Sequence, residues 1–469
     1  MRPSVLHTGS SVTSTALRDL RLRIRGAVHG PDAEQWDAVR QPWQRYVDQH
    51  PLAVVEVEDG QDVVAAVRWS VANGVQVFTQ PVGHGAGTDL RGALLLQTGR
   101  LDAIEIDLAH RTAQVGAGVS SGALCAALAG TGLTFLVGSS PGPSVVGMTL
   151  TGGFSWFGRA FGLASESIVA AEIVDGLGRL RRVTAVEEPE LWWALRGGGG
   201  GFGIVLSLEL ALHPVEQLHG GRLLWPVTAM AEVLPAFRAV CEAAPDALTT
   251  WFQVVASADL PRPVDTVRGQ RFVAVLVAHL GTKGETHRLL SPLRAVAGLV
   301  VDEIDELTVE QLLELTGEPT EPQSCLTRSA LLDELDDVVV DRLLTAVGPG
   351  SGTALAMLQV RHLGGALTHD ASGCHGSVPE HYTVLALGMA TTPEDVRRVR
   401  TDGDRAMAAV APTGSGRTLM NFLAHDEECE WWDETARIRL EAIKRVIDPL
   451  DTIRSNRPVA PATGFPTSG

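Results

Sequence analysis

Cysteine is scarce in this chain and is not arranged in pairs. Cys125, Cys241, Cys325, Cys374 and Cys429 are odd in number, and no two are spaced as Cys-x-x-Cys. Neither a disulfide framework nor a thiolate zinc site is written into the sequence, and a reducing cytoplasm is the expected setting. Positive charge is also short, with 38 Lys and Arg against 55 Asp and Glu and a formal net charge of −17. A nucleic-acid binder and a protein docked on anionic lipid both need a basic footprint. Nucleic acid and membrane are therefore not expected partners, and the acidity reads as a solubility device. Long apolar runs are missing too. Segments such as Val273–Leu280 are broken by polar residues far below the roughly 20 residues that span a bilayer. Met1–Leu20 lacks the apolar centre of a secretory signal.

Glycine is abundant instead. There are 50 in 469 residues, many of them gathered between Gly83 and Gly203. Clustered glycine marks backbone in unusual conformations or backbone that a ligand approaches closely. The length predicts two domains.

Along the chain, Arg21–Gly26 reads as a short strand and Gln61–Asn73 as a helix stopped by Gly74. Val75–Thr79, Asp102–Asp107 and Thr112–Val115 read as strands, and Gly122–Gly130 as an Ala-rich helix. Strands over Ser167–Val174 and Ile204–Leu212 flank a turn at Asp175–Gly178. After Pro214 the glycine clusters give way to strands at Thr249–Ala256, Phe272–Leu280, Thr353–Leu363 and Tyr382–Ala390. Helices are expected between them at Glu285–Ala297 and Glu334–Ala346, and a last helix at Glu434–Ile447. The expected fold class is α+β, with an antiparallel sheet covered by helices in the second domain.

Three glycine regions carry the functional signal. The first, Pro81-Val-Gly-His-Gly-Ala-Gly87, sets three glycines around His84. Such a turn exposes backbone N–H groups on one side and can hold an anion such as a pyrophosphate. It is equally well a plain turn with an exposed histidine, being neither a Walker A loop nor G-x-G-x-x-G. The second region, Gly138–Gly162, repeats glycine at 152, 153, 158 and 162 among Phe154, Trp156, Phe157 and Phe161. The third holds five consecutive glycines, Gly197–Gly201. Ordering such a run is costly in chain entropy, and a closely approaching ligand is a reason to accept that cost.

Together these regions resemble the berberine bridge enzyme-like group of FAD-linked oxidases, within the vanillyl-alcohol-oxidase or PCMH-type flavoprotein superfamily. The likeness runs from about Trp36 to Pro458. Gly83-His84 is similar to the family's Gly-His pair, whose histidine carries the flavin 8α-methyl. Gly138-Ser139-Ser140-Pro141 is similar to its Gly-x-Cys-Pro segment, and Gly152-Gly153 through Arg159-x-Phe161-Gly162-Leu163 to its GGG…R-x-Y-G-L stretch. Leu191–Gly199, followed by Phe202-Gly203-Ile204-Val205, is similar to its L-F-W-A-L-R-G-G-G block. Asn421-Phe422, Asp448-Pro449 and Asn456 resemble its C-terminal motifs.

The resemblance implies a PCMH-type FAD-binding domain from residues 1–214 and 413–469, with its core at about 47–214, and a substrate domain from 215–412. It implies FAD held by Val82, Gly83, His84, Gly85, Ala86, Gly87, Gly138, Ser139, Ser140, Val145, Gly147, Gly152, Gly153, Gly158, Gly162, Gly203, Ile204, Val205, Asn421 and Asn456. Ser140 stands where bicovalent members have cysteine. Serine without an activating base is a poor nucleophile, so His84 is left as the one covalent attachment. Leu419 stands where many relatives have a proton-accepting tyrosine, and only Tyr46 and Tyr382 are tyrosines in the chain.

The implied activity is two-electron oxidation of a small organic molecule, in secondary metabolism, with dioxygen as acceptor. The missing tyrosine motivates the alternative, a flavin-bound enzyme performing a net non-redox cyclisation or rearrangement. Strand alternation puts Met357, Gln359 and Arg361 on one face and Leu358, Val360 and His362 on the other. Arg361 is a candidate for charge stabilisation, and His362 and Tyr382, with His375 and His381, for proton transfer. Each has a packed or surface alternative. Trp192-Trp193 and Trp431-Trp432 read as core anchors, and Glu427, Glu428 and Glu430 as a solvated acidic face, the alternative being that Asp426 or Glu427 reaches a site.

Overall fold

The computed structural model describes residues 14–87, 90–256, 271–424, 426–427 and 431–461. Cys429, Glu428 and Glu430 lie outside them. The first element is a helix, Ser14–Arg23, and not the strand expected over Arg21–Gly26. Leu17, Leu20 and Ile24 recur at helical spacing, and Leu20 and Ile24 are buried in a core shared with Val63, Val67 and Trp69. The Trp69 indole donates to the Ala16 carbonyl at 3.1 Å, and Asp19 pairs with Arg23 one turn on. Tertiary packing overrides the short β-like pattern here.

The helix Gly60–Asn73 follows the sequence reading. Asp59 caps it by accepting from the backbone of Gln61 and Asp62, and Gly74 ends it at φ 64°, a left-handed conformation that suits glycine. This helix lies beside a four-stranded sheet ordered Ala27–His29, Ala53–Glu56, Leu94–Gln97, Val77–Thr79. Its first pair is antiparallel and the other two are parallel. A five-stranded antiparallel sheet comes next, ordered Ile104–Asp107, Thr112–Gly116, Ile204–Ala211, Ile168–Val174, Leu180–Thr184.

The third large sheet has eight strands, with Arg271–His279, Leu248–Ala256, Met357–His362 and Tyr382–Met389 at its centre. Its two faces meet different surroundings because the side chains alternate. Phe252, Val254, Leu358, Val360 and Val384 pack under the helices Met230–Glu242, Asp337–Val347 and Pro393–Val410. Trp251, Val255, Phe272 and Leu276 face the other way, into a core shared with Phe154, Trp156 and Phe202 of the glycine-rich half. The architecture is α+β, as the sequence predicts.

Most strand and helix ends shift by one to three residues, and two boundaries differ more. The helix expected over Glu285–Ala297 divides into Lys283–Leu289 and Ser291–Arg294, because Pro292 fits the first turn of a helix but not its interior. The strand expected from Thr353 starts at Met357. The residues before it form an irregular segment in which the Ala354 amide donates to Asp402 at 2.6 Å.

Candidate functional site

The loop after Val77–Thr79 delivers His84. Gly83 has φ 88°, and a side chain there would start 2.7 Å from Pro42 Cβ, so only glycine lets the loop close on its neighbour. The His84 imidazole stacks on the Trp43 indole, with centroids 3.9 Å apart and planes 15° apart. Burial pulls its pKa down to about 4, which keeps the ring neutral at physiological pH. His84 Nε2 is buried and has no hydrogen-bond partner among the described residues. It sits 3.1 Å from the point where a Cβ on Gly142 would stand, with Ser140 Oγ 3.9 Å from the same point. Trp43 lies outside the glycine regions singled out from sequence. A buried ring nitrogen lacking a partner is not legible from them.

The glycines separate into two physical kinds. Several are filled against protein. A Cβ on Gly152 would lie 2.6 Å from the His375 ring, one on Gly197 2.4 Å from His375 Cβ, one on Gly153 2.5 Å from Ala164 Cβ, and one on Gly203 2.5 Å from Ile173 Cδ1. A Cβ on Gly158 would lie 3.3 Å from Leu367 Cδ2, and Gly162, at φ 90°, ends a short helix. Others face open space. Among the described residues, Gly85 has nothing within 4 Å of an added Cβ, and Gly147, Gly199, Gly200 and Gly201 meet nothing closer than Ser144, Thr151 or Ser455 at 3.6–3.9 Å. Polar groups hold this open line in place. Asn456 Nδ2 donates to the Gly85 carbonyl. Asn421 Oδ1 accepts from Gly153 N at 2.9 Å, while its amide donates to Met148 O at 3.1 Å and to Thr151 Oγ1 at 2.6 Å. Bare backbone beside an orphaned buried imidazole fits a long dinucleotide cofactor.

Across from this cradle, the large sheet carries a buried polar chain. Gln359 donates to Gln253 Oε1 at 2.9 Å, and Gln359 Oε1 accepts from Arg361 Nε at 2.8 Å. The Arg361 guanidinium lies 4.0 Å over the Trp251 ring and 4.9 Å from Phe422. Glu318 is its nearest counter-charge at 3.7 Å. Burial lowers the Arg361 pKa to about 10, with Glu318 opposing the shift. Trp251 stacks in turn on Trp156 at 3.4 Å and 13°, which ties the sheet to the second glycine region.

The comparisons with known proteins accord with this geometry. An FAD binding domain family matches residues 51–184. Over 94% of this chain and 98% of its own length, (R)-6-hydroxynicotine oxidase of Paenarthrobacter nicotinovorans is 27% identical. The solved structure of Physcomitrella patens BBE-like 1 superposes with a TM-score of 0.83 at 18% identity, covering 96% of this chain and 100% of that one. Berberine bridge enzyme from Eschscholzia californica gives a TM-score of 0.78 at 19% identity, covering 96% and 99%. The chain carries an FAD binding domain, and its fold is that of FAD-linked oxidases. It is an FAD-dependent oxidoreductase, and the relatives support a small organic molecule as its substrate.

For an FAD-linked oxidoreductase of this kind, the residues anticipated from sequence fall into three groups. Val82, Gly83, His84, Gly85, Ala86 and Gly87 form one loop, and Gly138, Ser139, Ser140 and Gly147 lie on the segment beside it. Gly152, Gly153, Gly158, Gly162, Gly203 and Asn421 shape the wall, and the first five of these offer a cofactor only backbone. Val145, Ile204 and Val205 are buried in the cores. When bound, FAD supplies the two-electron chemistry.

On the sheet, Arg361 shares the inner face with Gln359, as the alternation implies. Tyr382 does not reach that side. It packs with Phe237 under the helices, burial raises its pKa, and strand alternation turns it away from the cradle, so it does not serve as the expected acid–base group. His362 lies on the same outward register. Its Nε2 accepts from Arg159 Nη1 at 3.0 Å, and burial, together with the Arg159 charge, depresses its pKa to about 2. A histidine that stays neutral and bonded to a buried guanidinium is not poised to exchange protons near pH 7. His375 is enclosed between Gly152 and Gly197, and Trp431 packs 4.3 Å from it, so it is a packing residue. Leu419 is buried in the core. Asp426 pairs with Arg328 and Arg400 at 3.0 Å each, and Glu427 accepts from Ala424 N at 3.1 Å.

Proposed function

We propose that this chain is an FAD-linked oxidase that removes two electrons from a small organic molecule of secondary metabolism and passes them to dioxygen, with FAD attached covalently through His84 alone. In this reading, residues 1–214 and 413–469 hold the cofactor, residues 215–412 carry the substrate face, and the enzyme works in the cytoplasm. The observation that carries the reading is the neutral His84 imidazole, whose Nε2 has no partner among the described residues, at the edge of an open glycine line. Ser140 beside it supports a single attachment, because a hydroxyl has no thiol-like nucleophilicity. The near full-length similarity to a protein named as an oxidase supports turnover with oxygen. Arg361, fixed by Gln359 within the inner face, supplies positive charge where negative charge develops during oxidation.

The test is direct. The denatured protein stays yellow and fluorescent, and His84→Ala releases its flavin into acid. A wild-type chromophore that comes free in acid overturns the covalent attachment. Substrate that bleaches the flavin without air, and yields hydrogen peroxide in air, supports the oxidase. Product formed with no flavin reduction favours net non-redox chemistry.

A further inference from the structure

The residue that orients His84 comes from outside every motif of the cofactor loops. Trp43 lies on the segment between the helix Trp36–Arg40 and the strand Ala53–Glu56, and it is held on several sides. Its backbone N–H donates to Val82 O at 3.0 Å, and the next residue, Gln44, donates to Gly83 O at 3.2 Å. Its carbonyl accepts from Gln323 N at 3.1 Å. Its indole N–H donates to Thr320 O at 3.0 Å. With the indole edge fixed in this way, one ring face covers His84 in a near-parallel stack. The loop bearing Thr320 and Gln323 is pinned in turn to the second glycine region, where Thr316 Oγ1 donates to Ser139 O at 2.8 Å.

We propose that Trp43 is a positioning residue for the attachment of FAD to His84. The inference rests on the covalent reading above and deepens it. A histidine on a glycine-rich turn has two side-chain torsions to lose before it can meet a fixed carbon, and a rigid aromatic face removes that freedom in advance. The same face shields the imidazole from water, consistent with its neutral state. In the reaction, a bond forms between an imidazole nitrogen and the 8α carbon of FAD. One hydrogen leaves the 8α carbon and one leaves the imidazole. As two protons and two electrons they reach dioxygen and leave as hydrogen peroxide, so the flavin ends oxidised.

The experiment follows attachment over time. Protein produced under flavin limitation is given FAD in excess, and covalent flavin is read as fluorescence of the denatured band on a gel. Affinity for unattached FAD and thermal stability are measured alongside. Trp43→Ala and Trp43→Leu should slow attachment roughly tenfold, the scale of one lost aromatic stack. Trp43→Phe should stay within about threefold of wild type, because it keeps a stacking face. FAD affinity should not change in any of them, and His84→Ala should show no attachment. Leucine fills the space without stacking, so Leu against Phe separates orientation from packing even if alanine folds poorly. Attachment at the wild-type rate in Trp43→Leu overturns the proposal, as does slowing in Trp43→Phe equal to that in Trp43→Leu, or a parallel loss of FAD affinity. Wild-type protein that never attaches flavin overturns the covalent reading as well, and that outcome is distinct from the others.

Discussion

Lys444 offers the sharpest test of how the cradle is held. Its ammonium is fully buried and donates to Gly201 O at 2.9 Å, to Ile453 O at 2.6 Å and to Asp448 Oδ2 at 2.6 Å. Asp448, with no exposed surface, also accepts from Thr452 N and Ile453 N at 2.8 Å each. One buried pair thus fastens the five-glycine run to the C-terminal segment that carries Ser455 and Asn456. Lys444→Met removes the cation and leaves the Asp448 carboxylate and two carbonyls short of a donor. Breaking a buried pair from one side costs about 3–5 kcal/mol, because the remaining charge is uncompensated. For a chain of 469 residues unfolding as one unit, the expected fall in melting temperature is roughly 3–5 °C. Asp448→Asn keeps most of the shape but leaves the Lys444 ammonium without its buried partner and sets an amide N–H against one of the two backbone donors, so it should cost a similar amount. Combining the two should cost clearly less than the sum, since the second change removes the orphaned charge left by the first. Melting curves, with FAD content at each temperature, give the result. A Lys444→Met protein within about 1 kcal/mol of wild type, or strict additivity of the pair, would refute the assignment of this contact as a buried electrostatic staple.

Three further outcomes are expected. Gly203→Ala should lower stability by about 1–3 kcal/mol, because its φ of 149° disfavours a side chain and the new methyl meets Ile173 at 2.5 Å; Gly85→Ala, in open space, should leave the melting temperature alone and weaken FAD retention, and equal effects on both measurements would defeat the division of the glycines. Stability should fall as the pH drops from 6.5 toward 5: His375 and His362 have folded pKa values depressed to about 4 and about 2 by burial, so below pH 6.5 the unfolded chain binds more protons, each histidine contributes a loss of about 2 kcal/mol by pH 5, and a flat melting temperature over that range would contradict their burial as neutral rings. Arg361→Met should slow flavin bleaching by substrate on the order of a hundredfold while FAD content holds; an unchanged rate would remove Arg361 from the chemistry.

Much of the fold is legible in the sequence because it rests on local rules. Asp59 and Gly74 mark the ends of the Gly60–Asn73 helix as capping chemistry requires, and Glu434–Ile447 is a helix over the span the periodicity predicts. The first helix escapes such rules because its apolar residues are too few to outvote a short β-like run until Trp69 is there to pack on. The cofactor loop is legible through glycine, because an ordinary packed core rarely requires glycine in clusters. The stack of Trp43 on His84 and the Glu318–Arg361 approach join residues far apart along the chain, so no local pattern encodes them. Tyr382 is misassigned for a related reason. Strand alternation in Tyr382–Met389 defines two faces but does not say which one meets the cofactor until the covering helices are known.

The same distinction between local pattern and packed surroundings bears on what the glycine-rich sequence encodes. Gly152, Gly153, Gly197 and Gly203 are constrained by His375, Ala164 and Ile173, so they serve packing that would be needed with or without a ligand. Among the described residues, Gly85, Gly147 and Gly199–Gly201 meet little or no protein on their Cα faces; Gly199 is called for by its φ of 74°, and the others leave the room that a close-lying cofactor needs. The two kinds alternate along the chain, and Gly197 and Gly199 differ in kind though only one residue separates them. A backbone packed tightly at one glycine and bare two residues later holds the bare stretch rigid. Rigid bare backbone can present N–H groups to a long cofactor without losing further chain entropy on binding. Lys444 contributes to the same end from behind, bonding the carbonyl of Gly201. The glycine clusters are therefore better understood as alternating anchors and openings than as flexible loops, and the anchors prepare the openings to bind.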